Sequence, residues 1–297
     1  MGSSDHYVYA LDARTGGVKW SHETGGEIFS SPAVVDDVVY IGSYDGRLYA
    51  LDAKGGDLIW SFVTTEGQEV RSSPAVAGGI VYVGSHDNNF YAVEATTGDL
   101  AWKFETGSLV SSSPAVVDGV VYFASWDSKV YALDARSGGL LWQYQTEDAV
   151  FSSPAVVDGV LYIGSDDKNV YALDARSGVL LWRYETGDNV RSSPAVVEGR
   201  VYIGSYDKKF YALDAETGRP LWSYETGHWI RSQPAVANGV VYFGSFDDVL
   251  YALDGKSGEL LWSHKARGSI SSGPAAVDGM LYVTSWDGYI YAFGPGE

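Results

Sequence analysis

Ten arginine and aromatic residues stand at the positions where an otherwise repetitive sequence varies most. They are Arg71, Arg191, Arg231, Trp126, Trp229, Trp286, Phe29, Phe151, Tyr44 and Tyr206. A guanidinium beside flat aromatic rings suits a planar anionic ligand or an acidic peptide, because it pairs with acids and stacks on rings. We therefore predict that these residues form a binding surface, with free drift of surface positions as the alternative.

The chain contains no recognisable catalytic or metal-binding motif. Neither G-x-S-x-G, H-E-x-x-H, a Walker loop nor a dinucleotide fingerprint is present. The five histidines lack metal-ligand spacing, and the absence of cysteine excludes disulfides and zinc–thiolate sites. We expect no catalytic residues, no metal and no enzymatic activity.

A repeated unit of about forty residues positions the ten variable residues. Its marker prolines are 42 residues apart once and 40 apart five times, at Pro32, Pro74, Pro114, Pro154, Pro194, Pro234 and Pro274. A fixed period of this size, with short apolar segments between turn residues, is typical of a β-propeller. The variable residues fall in two connections of each unit that share one face of such a fold.

Residues 109–148 show how one unit is read as four strands. We predict a first strand over residues 109–117, a hairpin turn at Asp118-Gly119, and a second strand over residues 120–123. A third strand over residues 130–133 and a fourth over residues 140–144 follow. Nearly continuous apolar character indicates sheets covered on both faces, so the fold is predicted to be all-β.

The recurrent A-x-D-x-x-[TS]-G-x-x-x-W segment resembles the tryptophan-docking motif of the pyrroloquinoline-quinone (PQQ)-like propeller repeat. It occurs at residues 10–20, 132–142, 172–182, 212–222 and 252–262. Residues 50–60 deviate at Gly55, and residues 92–102 carry Glu94 in place of Asp. The resemblance implies structural docking roles for Trp20, Trp60, Trp102, Trp142, Trp182, Trp222 and Trp262.

The strand count leaves the number of blades open. Seven first, second and fourth strands are found, but third-strand segments occur eight times, including residues 7–11 and residues 289–293. We favour seven blades of four antiparallel strands, with the ring closed by pairing of the N- and C-terminal strands. Eight blades, two of them incomplete, are the alternative. Either way, residues 1–297 are predicted to form a single PQQ-like β-propeller domain.

Composition narrows the partners without identifying one. The net charge of −18 disfavours nucleic acid, and neither a membrane span nor a signal peptide is evident. The compartment stays open between an extracytoplasmic space, such as the periplasm, and the cytoplasm.

The favoured function is a non-catalytic scaffold that presents a rigid face to a protein, a peptide or a small anionic ligand. The ligand would bind at the mouth of the central channel that a propeller encloses. A PQQ-binding quinoprotein oxidoreductase using calcium is one alternative. Quinoproteins of this family are usually longer, and the alcohol-oxidising members carry a cysteine pair that this chain lacks. A stand-alone or engineered repeat scaffold without ligand is the other alternative.

Overall fold

The repeat forms β-strands from one end of the chain to the other. A computed structural model describes residues 1–294, which contain 29 strands and no helix. Neighbouring strands within every sheet are antiparallel. The prediction of an all-β propeller built from four-stranded antiparallel blades is confirmed.

The chain divides into two compact units, and unit 1 is Met1–Gln145. It begins with a hairpin of β1 (Tyr7–Leu11) and β2 (Val18–Glu23). Three four-stranded sheets follow: β3 (Ala33–Val35), β4 (Val38–Gly42), β5 (Arg47–Asp52) and β6 (Leu58–Val63); β7 (Ala75–Ala77), β8 (Ile80–Gly84), β9 (Asn89–Glu94) and β10 (Leu100–Glu105); β11 (Ala115–Val117), β12 (Val120–Ser125), β13 (Lys129–Asp134) and β14 (Leu140–Gln145).

Unit 2 is Thr146–Glu297 and also contains three four-stranded sheets. They are β15 (Ala155–Val157), β16 (Val160–Gly164), β17 (Asn169–Asp174) and β18 (Leu180–Glu185); β19 (Ala195–Val197), β20 (Arg200–Gly204), β21 (Lys209–Asp214) and β22 (Pro220–Glu225); β23 (Ala235–Ala237), β24 (Val240–Gly244), β25 (Val249–Asp254) and β26 (Leu260–Lys265). Its last sheet has three strands, β27 (Ala275–Val277), β28 (Met280–Thr284) and β29 (Ile290–Phe293).

The strand inventory of residues 1–294 matches the count made from the sequence. Six sheets have all four strands, and the sheets at the two chain ends add two and three. In these ladders β1 pairs with β2, and β29 pairs with β28. The same strands could form seven blades, one of them composite, or eight blades, two of them incomplete. Ring closure by pairing of the terminal strands therefore stays a prediction. The single-domain organisation of residues 1–297 likewise stays a prediction.

Burial follows the position of a strand within its sheet. The inner strands β12 and β13 are buried along almost their whole length, as their apolar sequences predict. The fourth strand β14 instead alternates between exposed and half-buried residues. Apolar clusters between neighbouring sheets form the core; in unit 1, for example, Phe90 stacks on Phe123 at 3.9 Å.

The first strand of each repeat is shorter than predicted. Residues 109–117 were expected to be extended together, whereas β11 contains only Ala115–Val117. Pro114 has no N–H to donate to a ladder, and the Oγ atom of Ser113 accepts a hydrogen bond from the Ser73 N–H of the preceding sheet. The serine-rich segment therefore links sheets. The hairpin turn is confirmed, since Asp118 and Gly119 both have positive φ (49° and 78°).

Candidate functional site

A backbone hydrogen bond that recurs from repeat to repeat brings the two variable connections of each forty-residue repeat together. The residue that follows the second strand donates its N–H to a carbonyl in the connection that precedes the first strand. In unit 1, His86 donates to Glu69 at 2.9 Å; in unit 2, Asp166 donates to Ala149 at the same distance. The backbone is therefore the same at each site, and the side chains alone set its chemistry.

Four rings in unit 1 form an aromatic row across these connections. Phe29 lies 4.8 Å from Tyr44, Tyr44 lies 6.4 Å from His86, and His86 lies 5.7 Å from Trp126, measured between ring centroids. The Arg71 guanidinium lies 5.8 Å from the centroid of Phe29, within range of a cation–π interaction. The structure thus brings four of the predicted site residues of unit 1 together.

The imidazole of His86 also joins a polar chain. Its Nδ1 lies 2.6 Å from Glu69 Oε2, and its Nε2 lies 2.8 Å from Ser111 Oγ. The His86 side chain is 9% exposed, whereas that of Glu69 is 42% exposed. Residue-by-residue reading missed this chain because its members are 17 and 25 residues apart and match no motif.

In unit 2, an arginine occupies the centre of the corresponding cluster. The Arg191 guanidinium lies 4.0 Å from the Phe151 centroid and 5.3 Å from the Tyr206 centroid. It also donates three hydrogen bonds, of 2.7, 2.9 and 3.1 Å, to the buried carboxylate of Asp166. These bonds raise the pKa of Arg191 above its ordinary value.

A second aromatic row extends from Tyr206 along unit 2. Tyr206 stacks on Trp229 with centroids 4.9 Å apart and an interplanar angle of 4°. Trp229 contacts Phe246 at 6.3 Å, and Phe246 contacts Trp286 at 6.0 Å, both edge to face. Trp229 is 42% exposed and Trp286 is 67% exposed. We call Tyr206, Trp229, Phe246 and Trp286 the unit 2 aromatic row.

Arg231 is half-buried and lies next to Ile230 in the connection that carries Trp229. Phe246 was not among the predicted site residues, although it contacts both exposed tryptophans.

Six of the predicted docking tryptophans make contacts between neighbouring sheets of one unit. Trp182 Nε1 donates to the Ala215 carbonyl at 2.9 Å, and a Cβ added at Gly218 would meet the Trp182 ring at 2.6 Å. Comparable bonds join Trp20 to Ala53, Trp60 to Ala95, Trp102 to Ala135 and Trp222 to Gly255. Trp262 contacts the Phe293 ring of the neighbouring sheet, whereas the Tyr122 ring that Trp142 contacts belongs to the same sheet as Trp142. A flat indole with one N–H donor is suited to joining two sheets in this way.

An aspartate in each second turn is a structural residue that the sequence analysis overlooked. Asp207 accepts hydrogen bonds from the Tyr211 hydroxyl (2.5 Å) and from the Gly187 N–H (2.7 Å). The same Asp–Tyr bond recurs at Asp5–Tyr9, Asp45–Tyr49, Asp87–Tyr91, Asp127–Tyr131, Asp167–Tyr171, Asp247–Tyr251 and Asp287–Tyr291. Burial and the bond to Asp87 raise the pKa of Tyr91 to about 12, so its phenol remains a donor at neutral pH. The signal was a recurrent Asp-x-x-x-Tyr spacing.

A metal-assisted cofactor site needs several side chains that can bind the metal ion. Within residues 1–294, no group of three His, Asp or Glu side chains is arranged to hold a metal ion. No helix in this part of the chain is long and apolar enough to cross a membrane.

A family model described as outer membrane protein assembly factor BamB matches residues 4–153, 127–230 and 225–295. The chain belongs to this family. No curated protein matches it. The expected resemblance to PQQ-like repeat propellers is confirmed by this match and by the solved structures that follow.

Three solved structures of low sequence identity share the fold. BamB from Moraxella catarrhalis is 21% identical, with a TM-score of 0.85, over 100% of this chain and 91% of that one. The computationally designed Ika8 protein is 20% identical, with a TM-score of 0.89, over 99% and 92%. A quinohemoprotein alcohol dehydrogenase from Pseudomonas putida HK5 is 20% identical, with a TM-score of 0.80, over 93% of this chain but 66% of its own.

Proposed function

We propose that this chain is a protein-interaction scaffold that binds an unfolded outer-membrane protein segment through the unit 2 aromatic row. The proposal depends chiefly on the exposure of Trp229 and Trp286 at the two sides of Phe246. Large exposed aromatic side chains on a rigid support are typical of binding surfaces, because their burial against a partner removes much apolar area from water.

The partner class follows from the family together with this surface. BamB is described as an outer membrane protein assembly factor. Outer-membrane strands present alternating apolar residues and aromatic girdles, which are exposed to water before assembly. A strand of this type would stack its aromatic side chains on Trp229 and Trp286.

The arginines have a supporting part in this proposal. Arg191 is paired with Asp166 by three hydrogen bonds and lies between two rings. Its charge is therefore largely neutralised within the protein, which favours an apolar or aromatic partner over a small anion at this position.

Binding of a denatured outer-membrane β-barrel protein, diluted from urea and carrying a fluorescent label, tests the proposal by anisotropy. We expect saturable binding that the W229A/W286A double variant weakens at least about tenfold, as expected for aromatic hot spots. The matched control is L261A, because Leu261 is 50% exposed but lies on the fourth strand β26. Equal affinity of wild type and W229A/W286A would contradict the proposal.

We include in the proposal that the chain has no quinone-dependent dehydrogenase activity. Its likeness to the quinohemoprotein is one of fold, and its described side chains offer no metal-ligand group. Addition of PQQ with calcium should change neither the thermal midpoint nor the rate of dye reduction with alcohols. A rise in the midpoint accompanied by dye reduction would favour the oxidoreductase alternative.

A further inference from the structure

Unit 1 contains a hydrogen-bonded Ser–His–Glu chain that the scaffold role does not use. From its geometry we propose that Ser111 is an activated nucleophile, with His86 as its general base and Glu69 as the residue that orients the imidazole. The substrate class is a small electrophilic ester or acyl compound. This reactivity is separate from the proposed binding surface, which lies in unit 2.

The order of hydrogen bonds gives each group its part. A carboxylate can only accept, so the 2.6 Å contact between Glu69 Oε2 and His86 Nδ1 places the imidazole hydrogen on Nδ1. Nε2 of the neutral ring is then an acceptor, and the Ser111 hydroxyl donates to it at 2.8 Å. Nucleophile, base and orienting acid are thereby connected in the sequence that activates a serine.

The backbone fixes this arrangement. The His86 N–H donates to the Glu69 carbonyl at 2.9 Å, which holds the two residues side by side. Ser111 is half-buried and His86 nearly buried, while the Tyr44 and Trp126 rings flank the imidazole. The base is therefore sheltered from bulk water, and the serine retains access to a small reagent.

A spare donor lies one residue from the nucleophile. The Ser112 hydroxyl is buried and has no hydrogen-bond partner in the described part of the chain. In other repeats the equivalent serine accepts from a glycine N–H, as Ser232 does from Gly244 at 2.9 Å. Ala124 stands at the glycine position in this repeat, and the Ser112 hydroxyl beside the nucleophile is left unused.

The covalent step is balanced without a further reactant. Ser111 Oγ forms a bond to the acyl carbon, and its proton passes to His86 Nε2. The ester C–O bond breaks, and the leaving alkoxide takes the proton from His86. Water then adds to the acyl group by the same route and restores the Ser111 hydroxyl.

A fluorophosphonate reagent tests the nucleophile directly, because the serine oxygen displaces fluoride from phosphorus. We expect one adduct per chain, mapped to Ser111 by peptide mass spectrometry. H86A should label about 100-fold more slowly, since the general base is lost.

The chain provides its own matched control. Ser271 stands at the same repeat position, three residues before a proline, and is also half-buried, but its Oγ accepts a hydrogen bond from Trp286 Nε1 at 2.8 Å. S271A should label as wild type does. E69Q is a second variant that preserves the size of the side chain and hence the packing. Its amide can donate to His86 Nδ1, which favours the tautomer with the hydrogen on Nε2, and this tautomer cannot accept the Ser111 proton.

Thermal midpoints of H86A and E69Q would show that both variants are folded. Absence of an adduct in the wild type, labelling spread equally over Ser111 and Ser271, or wild-type labelling of E69Q would each overturn the proposal. None of these results depends on the partner binding proposed for unit 2.

Discussion

The two units place different chemistry at the same pair of repeat positions. In unit 1, His86 Nε2 lies 2.8 Å from Ser111 Oγ; in unit 2, Arg191 donates at 2.7 Å to Asp166. Both pairs are 25 residues apart in sequence and join one sheet to the next. One pair is a hydrogen bond between an imidazole and a hydroxyl, and the other is an ion pair with a buried carboxylate.

This difference shows which positions make one repeat of the protein chemically different from another. The supporting backbone bond is 2.9 Å long in both units, so the scaffold contributes the same geometry to each pair. Only the side chains at the variable positions distinguish a potential nucleophile from an arginine fixed between two rings. Function in such a fold is therefore to be sought where the repeats differ.

The largest predicted effect is a difference in how much stability the protein loses when each pair is broken. R191A leaves the Asp166 carboxylate, 7% exposed, without its cation, and should lower the free energy of unfolding by about 4 kcal/mol. H86A removes the hydrogen bonds of the imidazole to Glu69 and Ser111 and should cost about 1–2 kcal/mol. Urea unfolding measures both. Equal losses would remove the distinction between the pairs, and R191A/D166A should recover much of the loss.

The shared scaffold, by contrast, should respond alike in both units. G218A in unit 2 and G138A in unit 1 each press a Cβ against a docking indole, at 2.6 and 2.7 Å, and should cost about 3 kcal/mol. G199A is the matched control, because Gly199 has the same φ of 71° as Gly218 but open space around it. It should cost about 1 kcal/mol. Equal melting temperatures of G218A and G199A would contradict a structural role for the tryptophans.

Both units should also lose stability in acid through their third-to-fourth-strand loops. Bonds from the Thr15 N–H and hydroxyl lower the pKa of Asp12 to about 2, and the Thr217 and Ser177 hydroxyls lower those of Asp214 and Asp174. Because these pKa values are depressed on folding, the stabilisation is present above about pH 4 and is lost as the pH falls towards 2.

An acid titration followed by circular dichroism checks this loss. The double variant S177A/T217A should move the midpoint of acid unfolding to higher pH, because each substitution removes a hydroxyl that stabilises the ionised carboxylate of Asp174 or Asp214. S223A, which removes an exposed hydroxyl from the fourth strand β22, should leave the midpoint unchanged. Stability that rises on acidification would refute the assignment.

The smallest predicted effect concerns the exposed end of the unit 2 aromatic row. W286A should change the free energy of unfolding by less than about 0.5 kcal/mol, as for a surface substitution, because Trp286 is 67% exposed. Its effect should appear in partner binding alone. A large loss of stability measured in urea would make Trp286 a structural residue.

The sequence predicted the scaffold well, because each repeat restates the same local rules. Asp118-Gly119 forms the expected turn. The extent of the first strand was wrong, since the serines before Pro114 bond to a neighbouring sheet.

The chemistry of the variable positions was less accessible from the sequence. The variable face was identified by comparing repeats, and this singled out Arg191 and Trp286. The partners of these side chains could not be found in this way, because Asp166 and Ser111 belong to contacts across sheets. Such contacts depend on three-dimensional register, which no single repeat encodes.

Site-specific photocross-linking tests the proposed interaction most directly. A benzoyl-phenylalanine at position 286 should cross-link to a labelled unfolded outer-membrane protein, whereas the same residue at position 261, also exposed but on β26, should not. Cross-linking at 286 that unlabelled partner competes away is the predicted result. Equal yields at the two positions, or none at 286, would contradict the account.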